Sequence, residues 1–201
     1  MNTIEKEISN TIEINKSIFT IYLKPVNKIN DAKAYIEELK QKFPDATHHV
    51  SGYIIGKGGE FGHYTDDGEP SGTAGSPIFE ILRKNNLTNI VFDCIRYFGG
   101  IKLGAGGLVR AYSRSMSEIL KIASIVPIID YSYFDLTISY PFLKTIDYLL
   151  GDKIIHRTFS NEISLLVKCP TIELEPLINI IIDKTINTCK IKIIDRNNEN
   201  D

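Results

Sequence analysis

Apolar and polar positions alternate along residues 7–14 and 17–23. β-Branched and aromatic residues fill the apolar slots, and this period of two predicts two strands. After Lys24-Pro25-Val26-Asn27 the period lengthens. Ala32, Tyr35, Ile36 and Leu39 fall at i, i+3, i+4 and i+7, which predicts a helix over 30–43 with Asn30 or Asp31 as its cap and Pro44 as its stop. A strand is expected over 47–55, then a flexible turn at 56–60 and a mobile loop through His63. A short helix over 77–84 follows, capped by Ser76 ahead of Pro77 or earlier by Thr73. An apolar strand over 89–95 leads to a helix over 105–124. Its stripe is Leu108, Tyr112, Met116 or Ser115, Ile119 and Ala123, with Arg110 and Arg114 near the opposite face.

Val126-Pro127-Ile128 breaks this pattern, which places a boundary between one unit over 1–126 and another over 129–201. In the second unit a strand is expected over 131–140, with Phe134, Leu136, Ile138 and Tyr140 on one face. A helix over 141–150 stopped by Gly151, a hairpin of 153–159 with 163–169, a helix over 172–184 and a strand over 189–194 complete it. That order, βαββαβ, is the ferredoxin-like plan. The first unit reads as an α+β sandwich with one helical layer. The polar tail from Arg196 is expected to fray.

Composition narrows the class. Of 201 residues, 24% are charged, as in a soluble globular protein, and no apolar run is long enough to span a bilayer. The first residues lack the layout of a signal peptide, and Cys94, Cys169 and Cys189 show no C-x-x-C spacing, so a cytoplasmic location is expected. The net charge of −2 carries no global signal for nucleic acid, so any such contact must be local.

Two segments stand out chemically. Arg96-Tyr97-Phe98-Gly99-Gly100-Ile101-Lys102-Leu103-Gly104-Ala105-Gly106-Gly107-Leu108-Val109-Arg110 joins a strand to a helix with five glycines between two arginines. Glycines permit positive φ and close approach, and amides ahead of a helix can form an anion-binding nest. Arg96, Gly99, Gly100, Lys102, Gly104, Gly106, Gly107 and Arg110 are the candidates there, with Arg96 alternatively paired to Asp66 or Asp67. Ala105 stands where a Walker A loop needs Lys, and Val109 stands where a dinucleotide fingerprint needs its third glycine, so no nucleotide cofactor is called for. The second segment, Asp66-Asp67-Gly68-Glu69-Pro70-Ser71-Gly72-Thr73-Ala74-Gly75-Ser76-Pro77, offers Ser71 and Thr73 at another helix start.

Asp66, Asp67 and Glu69 are candidates for acid–base work or a divalent cation, with His48 or His49 as partner; equally, they are turn residues that cap amides. Adjacent on a strand, His48 and His49 point to opposite faces and do not bind one metal together. His63 could join one of them at the acidic loop, although the spacing matches no metal motif, and His156 reads as structural.

These two runs, with Lys16-Ser17-Ile18-Phe19 and Asp45-Ala46-Thr47-His48-His49, resemble the YigZ/IMPACT family over residues 16 to 113. The resemblance implies an N-terminal unit in the fold class of the second domain of ribosomal protein S5. It also implies regulation of translational initiation. Eukaryotic members carry an extra N-terminal interaction domain, which is not expected here because the chain begins close to Lys16. The expected function is binding of RNA or a ribosomal surface through the Gly/Arg-rich loop. The alternative is a metal-assisted hydrolase or transferase acting on a phosphorylated small molecule. A third is a protein-docking role for the sheet of the second unit.

Overall fold

The structure is a computed structural model and describes residues 1–194. The polar tail expected to fray from Arg196 lies outside the described residues. The chain forms two compact units, Met1–Ile128 and Ile129–Asp201.

The first unit contains β1 (Asn2–Ile4), β2 (Ile8–Ile14), β3 (Ser17–Pro25), α1 (Ile29–Lys42), β4 (His48–Ile55), β5 (Phe61–Tyr64), α2 (Gly75–Lys84), β6 (Ile90–Tyr97), α3 (Gly104–Ile122) and β7 (Ile125–Pro127). Five strands form an antiparallel sheet in the order β2-β3-β6-β4-β5, while β1 and β7 make a separate antiparallel pair. Asn15 and Lys16, with φ of 46° and 62°, turn β2 into β3 in the left-handed geometry that suits a two-residue hairpin.

The period of two in β6 decides the layering. Ile90, Phe92 and Cys94 pack with Ile78 and Leu82 of α2 and with Leu108, Tyr112, Met116 and Ile119 of α3. Val91 points the other way, into a cluster with Tyr53 and Ile55 of β4 and with Ala32, Tyr35, Ile36 and Leu39 of α1. Helices therefore cover both faces, not one as expected. The central strands are apolar on both sides, and α1 carries its own stripe to bury.

Several boundaries differ from the sequence reading. α1 starts behind Lys28, and Asp31 sits inside its first turn, so neither Asn30 nor Asp31 caps it. The loop expected at 60–63 is strand β5, held at the sheet edge by backbone pairing to β4 from Phe61 to Tyr64. β1 and β7 are three residues each, too short to show a period.

The second unit contains β8 (Tyr131–Ile138), α4 (Leu143–Leu150), β9 (Ile154–Phe159), β10 (Ile163–Pro170), α5 (Leu174–Lys184) and β11 (Lys190–Ile194). Its antiparallel sheet runs β11-β8-β10-β9. Phe134, Leu136 and Ile138 pack against Ile146, Leu150, Leu177 and Ile181. Tyr140 does not continue that row: it opens a 3₁₀ turn over Tyr140–Phe142 and is exposed, because Pro141 cannot extend the strand ladder. Both units are mixed α and β, consistent with an α+β class.

Candidate functional site

The site begins with strand parity. His48 and Arg96 are opposite each other on β4 and β6, and the period of two directs both toward the α2–α3 face. His49 and Asp93 fall on the α1 face. There His49 Nε2–H donates to the Phe43 carbonyl at 3.0 Å and Nδ1 lies 2.9 Å from Asp93 Oδ2. The Asp93 carboxylate raises the His49 pKa against the opposing effect of burial, and burial also pushes Asp93 up. The histidines thus separate, and only His48 reaches the site.

Arg96 is buried. Its Nη1 donates to Glu69 Oε1 and its Nη2 to Ser17 Oγ at 3.3 Å, while Nε has no partner. The guanidinium carbon lies 5.3 Å from the Phe19 ring centre and 5.6 Å from that of Phe98. Glu69 Oε1 also accepts the Tyr112 hydroxyl at 2.8 Å. Burial and the neighbouring Glu69 carboxylate drive the Tyr112 pKa far upward, so Tyr112 stays a donor. The partner of Arg96 is therefore Glu69, not Asp66 or Asp67.

The other carboxylates face elsewhere. Asp66 accepts the amides of Gly72, Ala74 and Gly75 at 2.7, 3.1 and 2.8 Å. It does for α2 what Ser76 or Thr73 was expected to do: the helix starts at Gly75, and the Thr73 hydroxyl instead donates to the Pro70 carbonyl at 2.6 Å. Asp67 Oδ2 takes the His49 amide at 2.6 Å, and the Asp67 carbonyl takes His48 Nδ1–H at 2.7 Å. The three carboxylates diverge, each already engaged by the protein, which removes the divalent-cation reading. His63 is on the other side of β4, its ring 5.8 Å from that of Tyr53. Among the described residues no three His, Cys, Asp or Glu side chains are grouped to hold a metal ion.

A hollow of about 410 Å³ lies over this network. His48 and the buried Glu69 and Arg96 are its polar lining; Pro70, Phe98, Leu103 and Leu108 its apolar lining; Lys102, Gly104 and Ala105 are exposed at its edge. Gly99 brings the 98–104 segment against the β2–β3 turn: a Cβ there would sit 2.0 Å from the Lys16 carbonyl. The Phe98 and Gly99 amides are held by Thr47 Oγ1 at 3.0 Å and Ser17 Oγ at 3.2 Å, so that end of the loop is closed by the protein itself. The start of α3 is different. Leu103 at the cap position provides no side-chain acceptor, and the first amides of a helix have no intrahelical partner. Those amides and the helix dipole favour an anion. From Arg96 to Ser117 the chain carries Arg96, Lys102, Arg110 and Arg114 and no carboxylate.

Residues 15–120 match the Impact N-terminal domain. The chain is 34% identical to the IMPACT family member YigZ of Escherichia coli (strain K12) over 163 residues, covering 79% of this chain and 80% of that protein. The chain belongs to the IMPACT family. It is also 44% identical to the IMPACT family member YvyE of Bacillus subtilis (strain 168) over 124 residues, 62% of this chain, and the match spans only 57% of that relative's length. A crystal structure of a hypothetical protein, 28% identical, superposes with a TM-score of 0.66 over 97% of each chain.

Within this IMPACT-family site, Arg96, Lys102, Gly104, His48 and Glu69 border one hollow. Arg110 and Gly107 border a neighbouring one of about 340 Å³, with Arg114 and Asn15, and Leu103 belongs to both. Gly106 is exposed on α3, Gly100 lies in the open at a φ of 84°, and Ser71 is on the surface. Sequence reasoning passed over Tyr112, which it placed in an apolar stripe, and over Ser17, Phe98 and Asp93. Ser17 had a signal, a polar residue next to an aromatic strand inside a family motif. A buried Tyr hydroxyl has none until its acceptor is located.

No described helix is long and apolar enough to cross a membrane.

Proposed function

We propose that this IMPACT-family chain regulates translation by binding RNA or a ribosomal surface at the start of α3. The observation that carries the reading is the α3 first turn, without a side-chain cap and flanked by Lys102, opening on the hollow over Arg96. Arg110 and Arg114 extend the positive surface into the adjoining hollow. Arg96 acts indirectly, because Glu69 already holds its guanidinium; Lys102, Arg110 and the helix amides meet the phosphates. Two or three charge-assisted bonds of about 1.5–3 kcal/mol each, less ordering costs, describe modest affinity with a shallow salt dependence. Family membership supports a role in translational initiation. The chain works in the cytoplasm on this reading, in keeping with free Cys94 and Cys169 buried in the two cores. In fold terms we assign the first unit to the class of ribosomal protein S5 domain 2 and the second to the ferredoxin-like class, the latter supported by the sheet order β11-β8-β10-β9.

Co-sedimentation with ribosomal subunits and filter binding to RNA test the reading. Wild-type chain is expected to bind. The double variant Lys102→Ala with Arg110→Ala is expected to bind weakly, with a salt slope reduced by roughly two. A wild-type chain that binds neither, or a double variant that binds like wild type, would refute it.

A further inference from the structure

We propose that the hollow takes one unstacked nucleotide, its base against Phe98 and the apolar wall and its phosphate at Lys102 and the first turn of α3. The chain then recognises exposed single-stranded nucleotides and not duplex backbone. This rests on the reading above that the first unit binds RNA.

Four features point to a base. The hollow, about 410 Å³, lies in the usual size range of small-molecule sites. Its wall of Pro70, Phe98, Leu103 and Leu108 suits a ring and serves no purpose for a phosphate alone. Phe98 is 46% exposed on that wall, available as a stacking surface. Arg96 borders the hollow with its side chain only 5% exposed, yet its Nε–H has no acceptor in the protein. A buried donor left unpaired is destabilising, and ring nitrogens and carbonyls of a base are acceptors.

Glu69 fixes the orientation. Its carboxylate and the Arg96 guanidinium neutralise one another in the floor, with His48 Nε2 3.9 Å from Oε1, so that end offers a phosphate no net positive charge. The exposed edge of the hollow holds Lys102 and the first residues of α3, a helix start with no side-chain cap. The neutral base therefore enters toward the floor and the phosphate stays at the exposed edge. His48 is held by its Nδ1–H on the Asp67 carbonyl, which sets its ring against the hollow.

The test uses the full chain with four probes: a single-stranded oligouridylate, an RNA duplex of equal length, uridine 5′-monophosphate and ribose 5-phosphate. Fluorescence anisotropy reads the oligomers directly, and the small probes enter as competitors. The single strand is expected to bind about tenfold or more tightly than the duplex, with the monophosphate competing and ribose 5-phosphate not. Phe98→Ala, at an exposed residue of the apolar wall, is expected to keep the wild-type circular dichroism spectrum, to weaken single-strand binding about tenfold and to leave duplex binding unchanged. Equal binding of strand and duplex, both lowered by Lys102→Ala and neither by Phe98→Ala, overturns the nucleotide pocket and leaves RNA binding standing. Absence of binding to either oligomer overturns the nucleotide pocket, and overturns the reading above as well only where co-sedimentation with ribosomal subunits is also absent.

Discussion

Tyr112 donates its hydroxyl to Glu69 Oε1 at 2.8 Å, joining the middle of α3 to the acidic loop beneath the hollow. Arg96 meets the same oxygen, so one carboxylate satisfies a phenol from the helix and a guanidinium from the sheet. Glu69→Ala leaves Arg96 charged and buried without a counter-charge, with only Ser17 Oγ to accept from it. The expected loss is about 3–5 kcal/mol in urea unfolding, against about 1.5–3 for Tyr112→Phe, which removes one bond to a charged acceptor. Equal and small losses for the two variants would show that the network is slack.

Asp66 holds the start of α2 from outside the helix, through the amides of Gly75, its first residue, of Ala74 at the cap position and of Gly72 in the loop before it. Asp66→Ala is expected to cost about 1–2 kcal/mol by denaturant unfolding. Ser76→Ala, at the position that sequence rules favour as the cap, is expected to be within about 0.5 kcal/mol of wild type. A reversal of that ranking would contradict the assigned cap.

Gly99 and Gly100 separate two reasons for glycine. A Cβ at Gly99 meets backbone, with the Lys16 carbonyl at 2.0 Å and the Ser17 amide nitrogen at 2.5 Å. One at Gly100 meets open space but sits at a φ of 84°. Gly100→Ala is expected to cost about 1–2 kcal/mol in backbone strain. Gly99→Ala is expected to cost more and to pull the β2–β3 turn from the loop, visible as faster amide exchange at Ser17 and Phe98. Protection unchanged at both residues would count against the close approach.

The His49–Asp93 pair makes the first unit less stable as pH rises through the His49 pKa. Both pKa values are raised in the folded chain, His49 by the Asp93 carboxylate and Asp93 by burial, so folding holds protons that the unfolded chain releases. The His49 contribution is fully present below about 6.5, its unfolded value, and is lost as pH rises through the higher folded value. The urea midpoint is therefore expected to fall over that interval, and His49→Gln to flatten the fall. A midpoint independent of pH, or a fall that persists in the variant, would refute the assignment.

Much of the fold was legible because period and burial are linked. The stripe Ala32, Tyr35, Ile36 and Leu39 is the buried face of α1, and Phe134, Leu136 and Ile138 are the buried face of β8. What failed was what period does not encode. β5 is four exposed residues, too short to show a period, and exists through its pairing with β4. The second helical layer depends on Val91, Tyr53 and Ile55 being presented together from two strands. In the site, the glycine-rich loop and the acidic loop stood out from composition. Their connection runs through Glu69, while the residues favoured for pairing, Asp66 and Asp67, hold backbone amides.

Read alone, the chain determined where the longer strands and the helices form, which residues are charged and small, and which family motifs it carries, since all of these are local properties of sequence. Only the tertiary structure decided which charges meet. The choice of Glu69 for Arg96, the closure of one end of the glycine loop and the opening of the other follow from strand parity and from the Gly99 approach to Lys16. These bring together groups dozens of residues apart, and electrostatic pairing depends on distance in space rather than along the chain.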